Sequence, residues 1–169
     1  SCFEVLIDLK IAKERPAFLS SKEEETPSGA ILEGMHFLCA EDNELNAEIL
    51  TELLKMKGAE CTICENGQKV VETFEQSVPG AYDMILMDVQ MPVMNGYDAA
   101  RAIRRSLHKQ AGTIPIIAMT ANAFSEDIRH SLTAGMNAHI SKPVDMMLLE
   151  KTIRSIKSGG GSETQADKE

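Results

Sequence analysis

The chain has 169 residues, 43% hydrophobic and 25% charged, with a formal net charge of −9. That length holds one globular core plus tails, and the acid excess works against nucleic-acid binding, which needs a Lys/Arg-rich face. No apolar stretch approaches the roughly 18 residues of a membrane span, and no basic region followed by a hydrophobic one opens the chain, so a cytoplasmic location without direct membrane contact is expected.

In chain order, Phe3, Val5, Ile7, Leu9 and Ile11 alternate with other residues, the period of a half-buried strand. Residues 12–33 follow with Pro16, Pro27, Gly29 and the run Glu23-Glu24-Glu25, a linker composition. Phe37-Leu38-Cys39-Ala40 then reads as a buried strand, and the next helix carries Leu45, Ile49, Leu53 and Met56 on one face. Cys61 to Cys64 is a second strand, and Val70, Val71 and Phe74 mark a second helix. Met84 to Met87 is a third strand, with a helix over residues 96–105 after it. Ile114 to Met119 holds a fourth strand, and Ser125 caps a helix carrying Ile128 and Leu132. His139 and Ile140 form a fifth, and Asp145 caps a last helix with Leu148, Leu149, Ile153 and Ile156. Gly159-Gly160-Gly161 opens a flexible tail over residues 158–169.

Strands alternating with helices imply right-handed βαβ units and a parallel sheet covered on both faces, an α/β doubly wound fold. Ligands of such sheets bind beyond the carboxyl ends of the strands, where strand order reverses. The residues leaving those ends are Glu41 and Asp42, Asp88, Thr120 and Lys142. Alone, Asp88 before the turn-rich Pro92 to Gly96 stretch would serve to start an Asx-turn. Beside two more carboxylates it suits a hard divalent ion such as Mg²⁺, with a hydroxyl and an ammonium for a phosphate: the inventory of phosphoryl transfer. Cys61-Thr62-Ile63-Cys64 invites a metal or redox reading. In a strand, however, residues three apart face opposite ways, and no second pair completes a zinc site, so ordinary reduced thiols are expected. His36, His108 and His130 read as surface or strand-edge residues, and Met91 and Met94 as loop packing.

Over residues 34–157 the chain resembles the response-regulator receiver family. The resemblance rests on Glu41-Asp42-Asn43, on Met87-Asp88-Val89-Gln90-Met91-Pro92-Val93-Met94-Asn95-Gly96, on Met119-Thr120-Ala121 and on Ser141-Lys142-Pro143. It implies a flavodoxin-like five-stranded parallel sheet of order 2-1-3-4-5. It makes Asp88 the phosphoacceptor, with Mg²⁺ (or Mn²⁺ in its place) held by Glu41, Asp42, Asp88 and the Gln90 carbonyl. Thr120 becomes the switch hydroxyl, Lys142 the phosphate's charge partner, and Lys142-Pro143 a cis bond. Two positions depart from the commonest pattern. Glu41 stands where Asp is usual, and His139 stands where a switching aromatic is usual, as a switch or as a plain strand residue.

Such a domain takes its phosphoryl group from a histidine kinase domain or a histidine-phosphotransfer protein and switches the face made by its fourth helix, fifth strand and fifth helix. It catalyses only its own phosphorylation and dephosphorylation. The strand at residues 1–11 resembles the end of a kinase ATP-binding domain, which makes the chain the C-terminal receiver of a hybrid sensor histidine kinase, excised with a remnant of its kinase. That strand is expected to be disordered or to pair with a second copy as a weak homodimer. The alternatives are a stand-alone single-domain regulator, a docking module without chemistry, and a phosphohydrolase of the aspartyl-phosphate type. The last usually carries a second Asp two residues after the first, where this chain has Gln90.

Overall fold

The computed structural model describes residues 31–121 and 125–159; the expected strand at residues 2–11, most of the linker and the tail past residue 159 lie outside the described residues. Ten elements alternate strictly. They are β1 (His36–Ala40), α1 (Glu44–Met56), β2 (Glu60–Cys64), α2 (Gly67–Gln76), β3 (Met84–Asp88), α3 (Gly96–Arg105), β4 (Ile116–Thr120), α4 (Ser125–Thr133), β5 (Ala138–Ser141) and α5 (Met146–Lys157). All strand pairs are parallel, in the order β2-β1-β3-β4-β5. The order reverses between β1 and β3, so their carboxyl ends frame the crevice in which such sheets bind ligands.

The apolar runs of the central strands are unbroken because both faces are covered. Leu38, Ala40, Ile85, Met87, Ile116 and Ala118 pack with Val70, Phe74, Ala99 and Ile103 of α2 and α3. Phe37, Cys39, Met84, Leu86, Ile117 and Met119 pack with Leu50, Leu54, Leu149 and Ile153 of α1 and α5. Leu32, just ahead of β1, is fully buried in this second layer. Asn43, Asn66 and Asn95 cap α1, α2 and α3, and Asp145 caps α5, each side chain accepting from backbone N–H groups of the first turn.

One helix face differs from expectation. The stripe Leu45, Ile49, Leu53 and Met56 does not face the sheet: Leu45, Ile49 and Met56 are 63%, 51% and 81% exposed, and Ala47, Leu50 and Leu54 are buried instead. Helix α1 is apolar on two sides, and packing of Leu50 and Leu54 into the layer on this side of the sheet decides which one is covered. Leu132 and Leu148 are likewise partly exposed, at 47% and 40%. Among the described residues no helix is long and apolar enough to cross a membrane.

Candidate active site

Asp88 is the last residue of β3 and is buried, so its carboxylate is delivered at the sheet's edge by a strand that cannot shift without breaking the core. Its Oδ1 accepts from the Gln90 backbone N–H at 3.0 Å, and its Oδ2 from Lys142 Nζ at 2.6 Å. Beyond it the loop turns sharply. Val93 has φ +69°, the Met94 N–H donates to the Pro92 carbonyl at 2.7 Å, and the Gly96 N–H returns to the Val89 carbonyl at 3.0 Å. A β-branched residue in that region stores about 1–3 kcal/mol of strain, the kind found where a loop is held in one functional shape. Gly96 closes the loop onto β3, where a Cβ would collide with the Asp88 carbonyl oxygen.

Glu41 leaves β1 and is also buried. Its Oε1 accepts from Asn46 Nδ2 at 3.1 Å and from the Asn43 N–H at 3.4 Å, both at the start of α1. Its Oε2 meets Lys142 Nζ at 2.5 Å. Asp42, the next residue, is exposed, and oxygens of Glu41, Asp42 and Asp88 all lie within 4.8 Å of one another. Three carboxylates and one ammonium leave two negative charges at the site, which a hard divalent cation would balance through oxygen ligands. The donor set fits Mg²⁺.

The electrostatics follow from crowding and burial. Burial raises the Asp88 carboxyl above its ordinary value, and the Glu41 charge adds to this, while Lys142 and the Gln90 N–H oppose it. Burial disfavours charge on Lys142, but its hydrogen bonds and charge contacts with Asp88 and Glu41 outweigh this and hold it above the ordinary lysine value. Lys142 precedes Pro143 through the expected cis bond, and its N–H donates to the Thr120 carbonyl at 2.8 Å, tying the ends of β4 and β5 together. Thr120 is buried at the end of β4, and the residue before it, Met119, pairs with Asp88. His139 is half-buried in β5, opposite Ala118, and burial lowers its imidazole below the ordinary histidine value.

The structure therefore gathers Glu41, Asp42, Asp88 and Lys142 at one point, places Thr120 at the adjoining strand end, and leaves His139 two residues back from the end of β5 at Ser141. It also shows two residues the sequence reading passed over. Asn46, which orients Glu41, carries no motif signal. The close approach of Gly96 was hidden behind its role in the Asn95-Gly96 turn. The remaining candidates are structural. His36 meets Thr62 Oγ1 at 3.1 Å, His108 packs at a tilt against the Phe74 ring and meets the Ser77 carbonyl at 3.1 Å, and the exposed His130 lies edge-on to Tyr97. Met91 and Met94 pack against the core.

Comparison with known proteins gives the family of the chain. Residues 37–154 match the response regulator receiver domain family. A probable histidine kinase 2 of Oryza sativa subsp. indica is 34% identical over 148 residues, covering 81% of this chain but only 14% of that protein's length. Among solved structures, the receiver domain of a sensor histidine kinase from Pseudomonas aeruginosa, with a magnesium ion in its active-site cleft, is 36% identical. It has a TM-score of 0.64 and covers 73% of this chain and 98% of its own. A co-crystal from Saccharomyces cerevisiae joins a histidine phosphotransfer signalling protein to the receiver domain of its downstream response regulator. It matches at 30% identity and TM-score 0.66, covering 79% of this chain and 95% of that one. The chain belongs to the response regulator receiver domain family.

Proposed function

We propose that Asp88 accepts a phosphoryl group from a phosphohistidine carried by a histidine kinase domain or a histidine-phosphotransfer protein, and that the chain is the receiver segment of a larger hybrid histidine kinase. The observation that carries the reading is the convergence of Glu41, Asp42 and Asp88 within 4.8 Å, with Lys142 bonded to two of them. The kinase context is supported by the plant histidine kinase, of which the chain matches one short segment. The protein-donor reading is supported by the yeast phosphotransfer pair and by the exposed apolar side of α1 beside the site.

Glu41, Asp42, Asp88 and the Gln90 carbonyl would hold Mg²⁺, which supplies charge neutralisation for the phosphoryl oxygens. An ionised Asp88 oxygen attacks phosphorus in line, forming a P–O bond as the P–N bond to the imidazole breaks and the ring leaves with its electron pair. Lys142 pairs with the incoming phosphoryl oxygens as it now pairs with Asp88 Oδ2. Thr120 donates its hydroxyl to a phosphoryl oxygen, drawing the end of β4 toward Asp88. His139, one strand over, follows that movement and passes it to the face made by α4, β5 and α5. The chemistry this chain performs is confined to gaining and losing its own phosphoryl group.

The test is transfer of labelled phosphoryl from candidate kinases and phosphotransfer proteins with Mg²⁺ present. Alkali-labile label on the chain, lost on chelation and in Asp88→Asn, is the expected result. Label retained by Asp88→Asn would overturn the assignment.

A further inference from the structure

Helix α2 opens with Asn66 as its cap, so Gly67 is its first helical residue and its N–H has no acceptor inside the helix. That N–H donates instead to the Met94 carbonyl at 3.1 Å, in the loop between β3 and α3. Gly67 is buried there, and a side chain has no room. A Cβ would lie 2.5 Å from the Met94 carbonyl oxygen, 2.9 Å from the Ala99 Cβ and 3.2 Å from the Asn95 carbonyl oxygen. Its φ lies outside the left-handed region, so close approach of backbone, not conformational freedom, is what calls for glycine.

The same short turn holds the other half of the site, since the Glu41 N–H donates to the Cys64 carbonyl at 3.0 Å. Residues 64–67 thus bridge, through backbone groups, the segment that carries Glu41 and Asp42 and the loop that follows Asp88. That loop cannot yield at its far end. Asn95 caps α3, and Gly96 is already pressed onto the Asp88 carbonyl. A push on the Met94 carbonyl is therefore passed back through Val93, at φ +69°, toward Gln90, whose N–H holds Asp88 Oδ1 at 3.0 Å.

We propose that Gly67 is a positioning residue for phosphoryl acceptance: its N–H and its missing side chain set how closely the loop of residues 89–95 approaches β2 and α2, and so where the Gln90 backbone stands beside Asp88. The inference rests on the reading of Asp88 as phosphoacceptor and of the Gln90 carbonyl as a ligand for Mg²⁺. Gly67 touches neither group and acts through the Met94 carbonyl.

The test compares Gly67→Ala, Ala99→Gly and the double variant with the wild type, all as the full chain, first in Mg²⁺ titrations without a phosphodonor. Gly67→Ala should weaken Mg²⁺ binding roughly tenfold, the scale of losing a group that orients a metal ligand. At saturating Mg²⁺, its self-phosphorylation by acetyl phosphate should still be slower by roughly tenfold or more, because misplacement costs rate as well as metal. Ala99→Gly removes only the Cβ contact at 2.9 Å. It should bind Mg²⁺ like the wild type and leave the double variant as weak as Gly67→Ala. A purely structural role would lower the melting temperature and leave the Mg²⁺ affinity of the folded chain unchanged. Wild-type affinity in Gly67→Ala, or recovery in the double variant, would overturn the proposal. Should Gly67→Ala fail to fold, amide hydrogen exchange of the wild type decides. Saturating Mg²⁺ should slow exchange at Gly67 and Gln90 together, while the Val70 N–H, bonded to the Asn66 carbonyl at the start of α2, keeps its rate. A Gly67 N–H indifferent to Mg²⁺ would overturn the proposal. The Mg²⁺ measurements read Gly67 by themselves, so a wild type that binds Mg²⁺ but takes no label counts against Asp88 as acceptor and not against the placement of the loop.

Discussion

Glu41 is held from both ends, by Asn46 on one oxygen and Lys142 on the other, so the longer side chain is aimed rather than loose. Asn46→Ala should leave the fold intact and weaken Mg²⁺ binding several-fold, as loss of a group orienting a ligand generally does, in a titration of metal-dependent fluorescence or heat. Asp88 bears on stability. Burial raises its carboxyl, so the folded chain keeps that proton to higher pH than the unfolded chain does. Its ionisation thus costs the metal-free fold nothing below the ordinary aspartate range, and the cost grows as pH rises through the raised value. Asp88→Asn should therefore melt above the wild type at pH 7 in chelator, with the gap closing as pH falls toward 4. Added Mg²⁺ should raise the melting temperature of the wild type far more than that of the variant. A metal-free variant no more stable than wild type would show that Lys142 already offsets the burial of Asp88.

At the scale of elements, Arg104 of α3 is a clasp between distant turns. It donates to the Gly135, Ala111 and Ile114 carbonyls, each at 2.8 Å, and to Asn137 Oδ1 at 3.0 Å, and Asn137 in turn receives the Ile116 N–H that opens β4. Arg104→Met keeps the stem but strands those carbonyls, a loss of about 2–4 kcal/mol. Thermal melts should fall by roughly 10 °C. Such partners are invisible in the sequence because they lie far from Arg104 along the chain. The strands were legible for the opposite reason: unbroken apolar runs bounded by turn residues leave few alternatives, and the strand-end residues Glu41, Asp42, Asp88, Thr120 and Lys142 follow once the strands are placed. Helix α1 was misread because Leu45, Ile49, Leu53 and Met56 have the same helical spacing as its buried side, and only tertiary contact separates them.

For the whole molecule, the sheet fixes the chemistry at one edge, and the exposed side of α1 continues from it. A groove of about 400 Å³ runs from Glu41 and Lys142 past Ile49, Leu53, Pro143 and Val144. Ile49 and Leu53 line its helical wall, the exposed Leu45 stands one turn before Ile49 on the same side of α1, and the exposed Glu44, Glu48 and Glu52 keep the same four-residue interval beside them. On the proposed function a protein donor brings its phosphohistidine to Asp88 in line, and an apolar stripe that begins at the site offers the area to hold it there. Small acyl-phosphate donors need no such area. Ile49→Glu places a charge in the middle of the stripe, away from the carboxylates, and should leave self-phosphorylation from a small acyl phosphate within about twofold of wild type. Transfer from a phosphohistidine protein should fall roughly 10- to 30-fold in kcat/KM, the loss of one well-packed interface residue. Equal losses with both donors would mean that Ile49 supports the site itself, and no loss with either would place the donor on another face.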